Sequence, residues 1–136
     1  MKSSLFLVPL LSCFVVVQVS AADAFTPKMG DKARTAICDA VRQEIKSSAK
    51  FVMSYLRVQG EWAIFDGLPE GSDAGPIAAV LKRSGGKWSV VDFFAHGDIV
   101  LGAKFKKMAP GLPGGLATEY DAVTKNGVRK APQDHR

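Results

Sequence analysis

The apolar positions of the chain fall first into a leader and then into periodic segments. Lys2 is followed by a mostly apolar run from Leu5 to Val19 and then by the small-residue stretch Ser20–Ala24. A basic start, an apolar centre and a small-residue cleavage zone are the parts of a secretory signal peptide. The pattern therefore predicts a cleaved leader over residues 1–24 and an exported protein, either periplasmic or secreted.

Two alternatives for the leader fit the pattern less well. A membrane-spanning helix needs about 20 apolar residues, more than this run supplies, so no stable membrane anchor is expected after cleavage. Leu10–Cys13 resembles a lipoprotein cleavage box. The apolar residues continue beyond it to Val17, however, which favours ordinary leader cleavage.

The segment from Asp31 to about Ala49 has the period of an amphipathic helix. Its apolar positions recur at three- and four-residue spacing: Ala33, Ile37, Ala40, Val41 and Ile45. The period then changes to that of strands rich in β-branched and aromatic residues. Two hairpins are predicted, Phe51–Val58 with Trp62–Phe65 and Ile77–Lys82 with Trp88–Ala95. In the last strand we expect one face to carry Trp88, Val90, Asp92 and Phe94, and the other to carry Val91 and Phe93.

The order of these elements predicts an α+β fold. We expect the N-terminal helix to pack on a curved four-stranded antiparallel sheet of two hairpins, followed by a short C-terminal helix within Ile99–Met108. The arrangement resembles a minimal cystatin-like or NTF2-like domain. Residues 25–116 are predicted to form this single domain, and the polar residues 117–136 to form a disordered tail.

Charge and cysteine content narrow the class of protein. The chain has 18 Lys and Arg against 13 Asp and Glu, a net charge of +5. The basic residues are spread along the chain without interleaved aromatic side chains, so no nucleic-acid partner is expected. Cys13 leaves with the leader, so Cys38 has no partner for an internal disulfide. Cys38 is interpreted as a small buried residue, with a reactive thiol as the alternative.

Candidate site residues lie in the predicted sheet. We expect an apolar pocket beneath the helix to be lined by Tyr55, Trp62, Asp66, Trp88, Asp92 and Phe94. Asp66 precedes a glycine, which is typical of a turn at a strand end; the alternative is a buried acid with a raised pKa. His96 lies near two carboxylates, too few ligands for a metal site. No catalytic residue, metal or cofactor is assigned.

Three short segments resemble a group of small exported bacterial proteins of uncharacterised function. They are Arg34-x-x-Ile37-x-Asp39-Ala40-Val41-Arg42, the strand text LRV-x-G-x-WA from Leu56 to Ala63, and Gly86-x-Trp88-x-Val90-Val91. The resemblance implies export and an α+β fold, and it brings no catalytic residues. The chain departs from the group after Gly97, where Asp98 lacks a preceding Thr and Lys104–Lys107 replaces an aromatic-rich helix.

The expected function is that of an exported, non-enzymatic binding protein whose partner is an unknown protein or a small apolar ligand. One alternative is a small-molecule or lipid carrier that uses the predicted pocket. Another is an enzyme inhibitor that acts through the loop Gly67–Gly75 or the loop Ala109–Gly115. A minor alternative is an NTF2-like enzyme with Asp66 or Asp92 as its base.

Overall fold

A helix, two β-hairpins and two further helices follow one another in the computed structural model, which describes residues 23–71, 75–95, 102–125 and 134–135. The predicted leader, apart from Asp23 and Ala24, lies outside the described residues. The elements are α1 Lys32–Ile45, β1 Phe51–Gln59, β2 Trp62–Pro69, β3 Ile77–Ser84, β4 Lys87–Phe94, α2 Gly102–Met108, α3 Gly114–Lys125 and β5 Asp134–His135. The predicted α+β class, with a helix before four antiparallel strands, is confirmed.

The strands form one antiparallel sheet in the order β4-β3-β2-β1-β5. Both predicted hairpins are present. Gly85 and Gly86 join β3 to β4 with φ of +57° and +76°, the pair of positive angles that a two-residue type I′ turn requires. On the outer side of β1, Phe25 and Val58 exchange two backbone hydrogen bonds of 2.8 Å.

Helices cover both faces of the sheet and produce two separate cores. The face beneath α1, called the α1 face, buries Ile37, Cys38 and Val41 against sheet side chains. The opposite face, called the α3 face, is covered by α2 and α3, which contribute Phe105 and Tyr120 among others. The sequence predicted one helix across the sheet. The second layer explains why both faces of the strands are apolar.

Two β-bulges change which side chains share a face. The register shifts between Met53 and Tyr55 in β1, and between Val80 and Leu81 of β3 opposite Val91 in β4. An extra residue reverses the alternation of every side chain that follows it. The prediction that Trp88, Val90, Asp92 and Phe94 share one face is therefore wrong. The first two lie on the α1 face, whereas the last two lie on the α3 face.

The predicted disordered tail is wrong for residues 117–125, which belong to α3. Leu116, Ala117 and Tyr120 are buried to 4% exposure or less in the core of the α3 face. Few apolar residues suffice to hold α3 on the sheet, because the helix presents only this narrow apolar stripe to it. The domain extends beyond its predicted limit at Leu116, and residues 126–133 lie outside the described residues.

The buried interpretation of Cys38 is confirmed, since this side chain of α1 is 1% exposed and packs in the core of the α1 face. Within the described part of the chain, no helix is long and apolar enough to cross a bilayer.

Candidate functional site

The six predicted ligand-binding residues do not converge on one pocket. The space beneath α1 is filled by core side chains, among them Ile37, Val41, Phe51 and Phe65, each fully buried. Of the six candidates, the α1 face holds one, Trp88. The other five lie on the α3 face: Tyr55, Trp62, Asp66, Asp92 and Phe94.

Asp66 is a buried residue in the middle of β2 and not part of a turn. It has no exposed surface and pairs with Tyr55 on one side and with Ala78 on the other. The strand continues through Gly67, which pairs with Met53 and Ile77. A side chain at Gly67 would place its Cβ 2.8 Å from the Phe65 ring. The turn interpretation of Asp66 is therefore wrong. The packing of neighbouring strands overrides the local preference of an Asp-Gly pair.

A hydroxyl group from α3 holds the Asp66 carboxyl group. Tyr120 donates a hydrogen bond of 2.8 Å from its hydroxyl to Oδ2 of Asp66, and both side chains have 0% exposure. The Tyr120 ring also packs edge-on against Tyr55 at a centroid distance of 5.1 Å. A general base must reach its substrate, directly or through one water molecule. Because this carboxyl group is fully buried beneath α3, it acts as a structural anchor that holds the helix through Tyr120.

A second polar group lies beside this anchor and was not predicted from the sequence. Arg57 on β1 forms an ion pair with Glu119 of α3, with Nε 2.7 Å from Oε1 and a further hydrogen bond of 3.2 Å to Oε2. Tyr55 donates to the same carboxylate at 3.2 Å. Burial, together with the charge of Glu119, raises the pKa of the Tyr55 hydroxyl above its ordinary value. The signal in the sequence is weak, since it consists of one arginine in a strand and one glutamate in an unrecognised helix.

A shallow cleft of about 250 Å³ opens next to this ion pair. Its lining residues are Thr26, Tyr55, Leu56, Arg57, Glu119 and Val123. The volume is below the roughly 300–1,000 Å³ of ordinary small-molecule sites. Its charged groups already satisfy one another, so the cleft offers little polar attraction to a ligand.

Another cleft, of about 260 Å³, lies between α1 and the start of β4 and is called the α1–β4 groove. It is lined by Ala36, Asp39, Ala40, Gln43, Gly86, Lys87 and Trp88. Asp39 in this groove is paired with Arg42 at 2.9 Å. The small side chains and the Trp88 ring leave room for an apolar group of modest size.

Cations stacked on aromatic rings surround the β3–β4 hairpin. Lys82 lies over the Trp62 ring at 5.3 Å, and Arg83 lies over the Trp88 ring at 5.6 Å. At the far end of β4, Lys104 lies over the Phe94 ring at 5.0 Å. Arg83 lies on the α1 face, whereas Lys82 and Lys104 lie on the α3 face. Together with the exposed Lys87, these cations around β3 and β4 are called the basic edge: Lys82, Arg83, Lys87 and Lys104. Three predicted ligand-binding aromatics thus hold surface cations in place, each contact contributing about 0.5–1 kcal/mol at exposed sites.

The loop Ala109–Gly115 packs against the sheet. Lys106 donates from Nζ to the carbonyl oxygens of Pro110, at 2.6 Å, and of Leu112. Gly111 meets the Trp62 ring so closely that a Cβ would lie 2.8 Å from it. Leu112 has 0% exposure, so this loop does not project as an inhibitory loop would. The predicted loop Gly67–Gly75 is wrong for residues 67–69, which belong to β2, and its residues 72–74 lie outside the described residues.

In the part of the chain that the structure describes, no group of three or more His, Cys, Asp or Glu side chains could hold a metal ion. His96 and Asp98 lie outside that part. Comparison with family models, curated proteins and solved structures found no significant match to this chain.

Proposed function

We propose that this chain is an exported, non-enzymatic binding protein that recognises an acidic protein surface through its basic edge. The observation that carries the proposal is the arrangement of cations around β4. Arg83 and Lys87 lie near its start, and Lys104 lies at its end. Such a field attracts an acidic partner at long range and speeds its association.

The two carboxylates considered as catalytic bases, Asp92 and Asp66, support the same interpretation. Asp92 is the acidic residue of β4, and its Oδ1 accepts a hydrogen bond of 2.8 Å from the backbone N–H of Phe93. Asp66, the other base considered for an enzyme, accepts from Tyr120 beneath α3. Both carboxylates are engaged in holding local structure, which favours a binding role over a catalytic one.

The experiment is recovery of the mature protein from its own compartment, followed by native mass spectrometry. We expect an acidic protein to co-purify and to dissociate as salt is raised, because exposed charges are screened. The double variant Lys87→Glu/Lys104→Glu should lose this partner. The control Lys28→Glu/Lys50→Glu, which makes the same charge change at exposed positions before β1, should retain it. A bound small molecule in place of a protein, or equal capture by both variants, would contradict the proposal.

A further inference from the structure

The outer edge of β4 is the end of the sheet beyond which no described strand lies. The opposite edge differs, since β1 pairs with Phe25 near one end and with β5 near the other. A terminal strand presents backbone N–H and C=O groups that another strand can bind. Which groups of β4 face outward therefore decides what this edge can accept.

Hydrogen bonds in the neighbouring strand fix the direction of the β4 backbone. Arg83 donates from its backbone N–H to the carbonyl oxygen of Glu61 at 2.7 Å. The backbone N–H and C=O groups of Arg83 therefore point toward the β1–β2 hairpin and away from β4. Arg83 is opposite Trp88, and Leu81 is opposite Val90. Residue pairs alternate between bonded and non-bonded in an antiparallel ladder. Trp88 and Val90 therefore direct their backbone N–H and C=O groups away from β3.

In the far half of the same edge, the Asp92 side chain already binds a backbone N–H group that an incoming strand would need. Beyond the bulge at Val91, the backbone N–H of Phe93 donates to Oδ1 of Asp92. Bulges and inserted charges are the means by which proteins prevent pairing along an edge. The part left for an incoming strand is Lys87–Val90, which is also the part that borders the α1–β4 groove.

The open part presents both apolar surface and positive charge to an incoming strand. On the α1 face an incoming strand meets the groove, whose floor includes Ala40 and the Trp88 ring. It also meets two cations near the start of β4: Arg83, which lies over the Trp88 ring, and the exposed Lys87. The matching strand therefore carries both apolar and acidic side chains.

We propose that the Lys87–Val90 edge of β4 binds, by strand addition, an extended segment of a partner protein that carries both apolar and acidic residues. Backbone hydrogen bonds to Trp88 and Val90 supply affinity, and the groove with the cations supplies specificity. This inference rests on the proposed function and deepens it. A second copy of the same basic edge is a poor occupant because like charges would face one another.

The test is titration of the purified mature protein with a short acetylated peptide of alternating Glu and Val. Val90→Pro removes the outward N–H without breaking the β3–β4 ladder, and Val90→Ala is the control that loses the side chain alone. We expect Val90→Pro to bind at least about tenfold more weakly than Val90→Ala. In the wild-type protein, hydrogen exchange at the Trp88 and Val90 amides should slow when the peptide is added. This measurement does not depend on the folding of any variant.

Three results would overturn the inference. They are equal binding by Val90→Pro and Val90→Ala, equal binding of a Lys–Val peptide, and a self-association that Val90→Pro abolishes. The titration contains no natural partner, so its failure is distinct from failure of the proposed function. Partner capture that survives Val90→Pro would contradict this inference alone. Peptide binding without any captured partner would contradict the proposed function alone.

Discussion

The crossing of α2 over α3 depends on the absence of a side chain at Gly102. A Cβ at this position would lie 1.7 Å from the carbonyl oxygen of Ala117 and 2.6 Å from its carbonyl carbon. Real Cβ atoms essentially never come closer than 3.0 Å, so Gly102→Ala must move the helices apart by about 1.3 Å, the difference between 3.0 and 1.7 Å. The opposing atoms belong to the backbone, and no side-chain rotation relieves the clash.

The magnitude follows from two opposing effects. Alanine in place of glycine favours a helix by roughly 0.5–1 kcal/mol. Overpacking costs about 1–3 kcal/mol and sometimes more, and a gap approaching 1 Å forfeits a quarter to a half of the dispersion attraction across it. The contacts at stake join Phe105 to Tyr120 across the two helices. We therefore expect Gly102→Ala to lower the free energy of unfolding by about 2 kcal/mol.

The matched control is Gly115→Ala in the first turn of α3, where a new Cβ meets nothing within 4 Å. The same substitution there should raise stability by up to about 0.5–1 kcal/mol. Urea unfolding followed by tryptophan fluorescence measures both, since small proteins lose about 1–3 kcal/mol of stability per molar urea. A midpoint for Gly102→Ala at or above that of Gly115→Ala would refute the close crossing.

Two further predictions concern the tyrosines beneath α3. Tyr120→Phe removes the hydrogen bond to the buried Asp66 and should cost about 1–3 kcal/mol in urea unfolding; an unchanged midpoint would contradict the anchor role. The pKa of Tyr55 is raised in the folded state by burial and by Glu119, so above about pH 10 only the unfolded chain loses this proton and stability falls as pH rises. Tyr55→Phe should flatten that decline, measured as the unfolding midpoint at several pH values; an identical decline in the variant would show that other groups cause it.

The helix and hairpins were predictable because their signals are local. Apolar spacing of three and four residues marks α1. Gly85 and Gly86 supply the positive φ angles of the turn between β3 and β4. Export, the resemblance to small exported proteins and the identity of the partner stay predictions.

The incorrect predictions concern features that tertiary packing decides. The extra residue at Val91 changes the register of β4 without leaving a mark in a strand already apolar on both faces. Asp66–Gly67 continues β2 because neighbouring strands pair on both sides of it. The short stripe of α3, centred on Tyr120, is recognisable only against the sheet that buries it. The candidate site is placed at the outer edge of β4 and not in the predicted pocket beneath α1, because core side chains fill the space beneath that helix.

The bridge between Phe25 and Val58 has a practical consequence for attaching the protein to a surface. Phe25 lies on the outer side of β1, four strand spacings of about 4.8 Å each from β4. A tether attached just before Phe25, on a sensor chip, a bead or a display scaffold, therefore leaves the chain on the side of the sheet remote from Lys87–Val90. Immobilisation at that position keeps the β4 edge accessible to solution, whereas coupling through the lysines of the basic edge would block it.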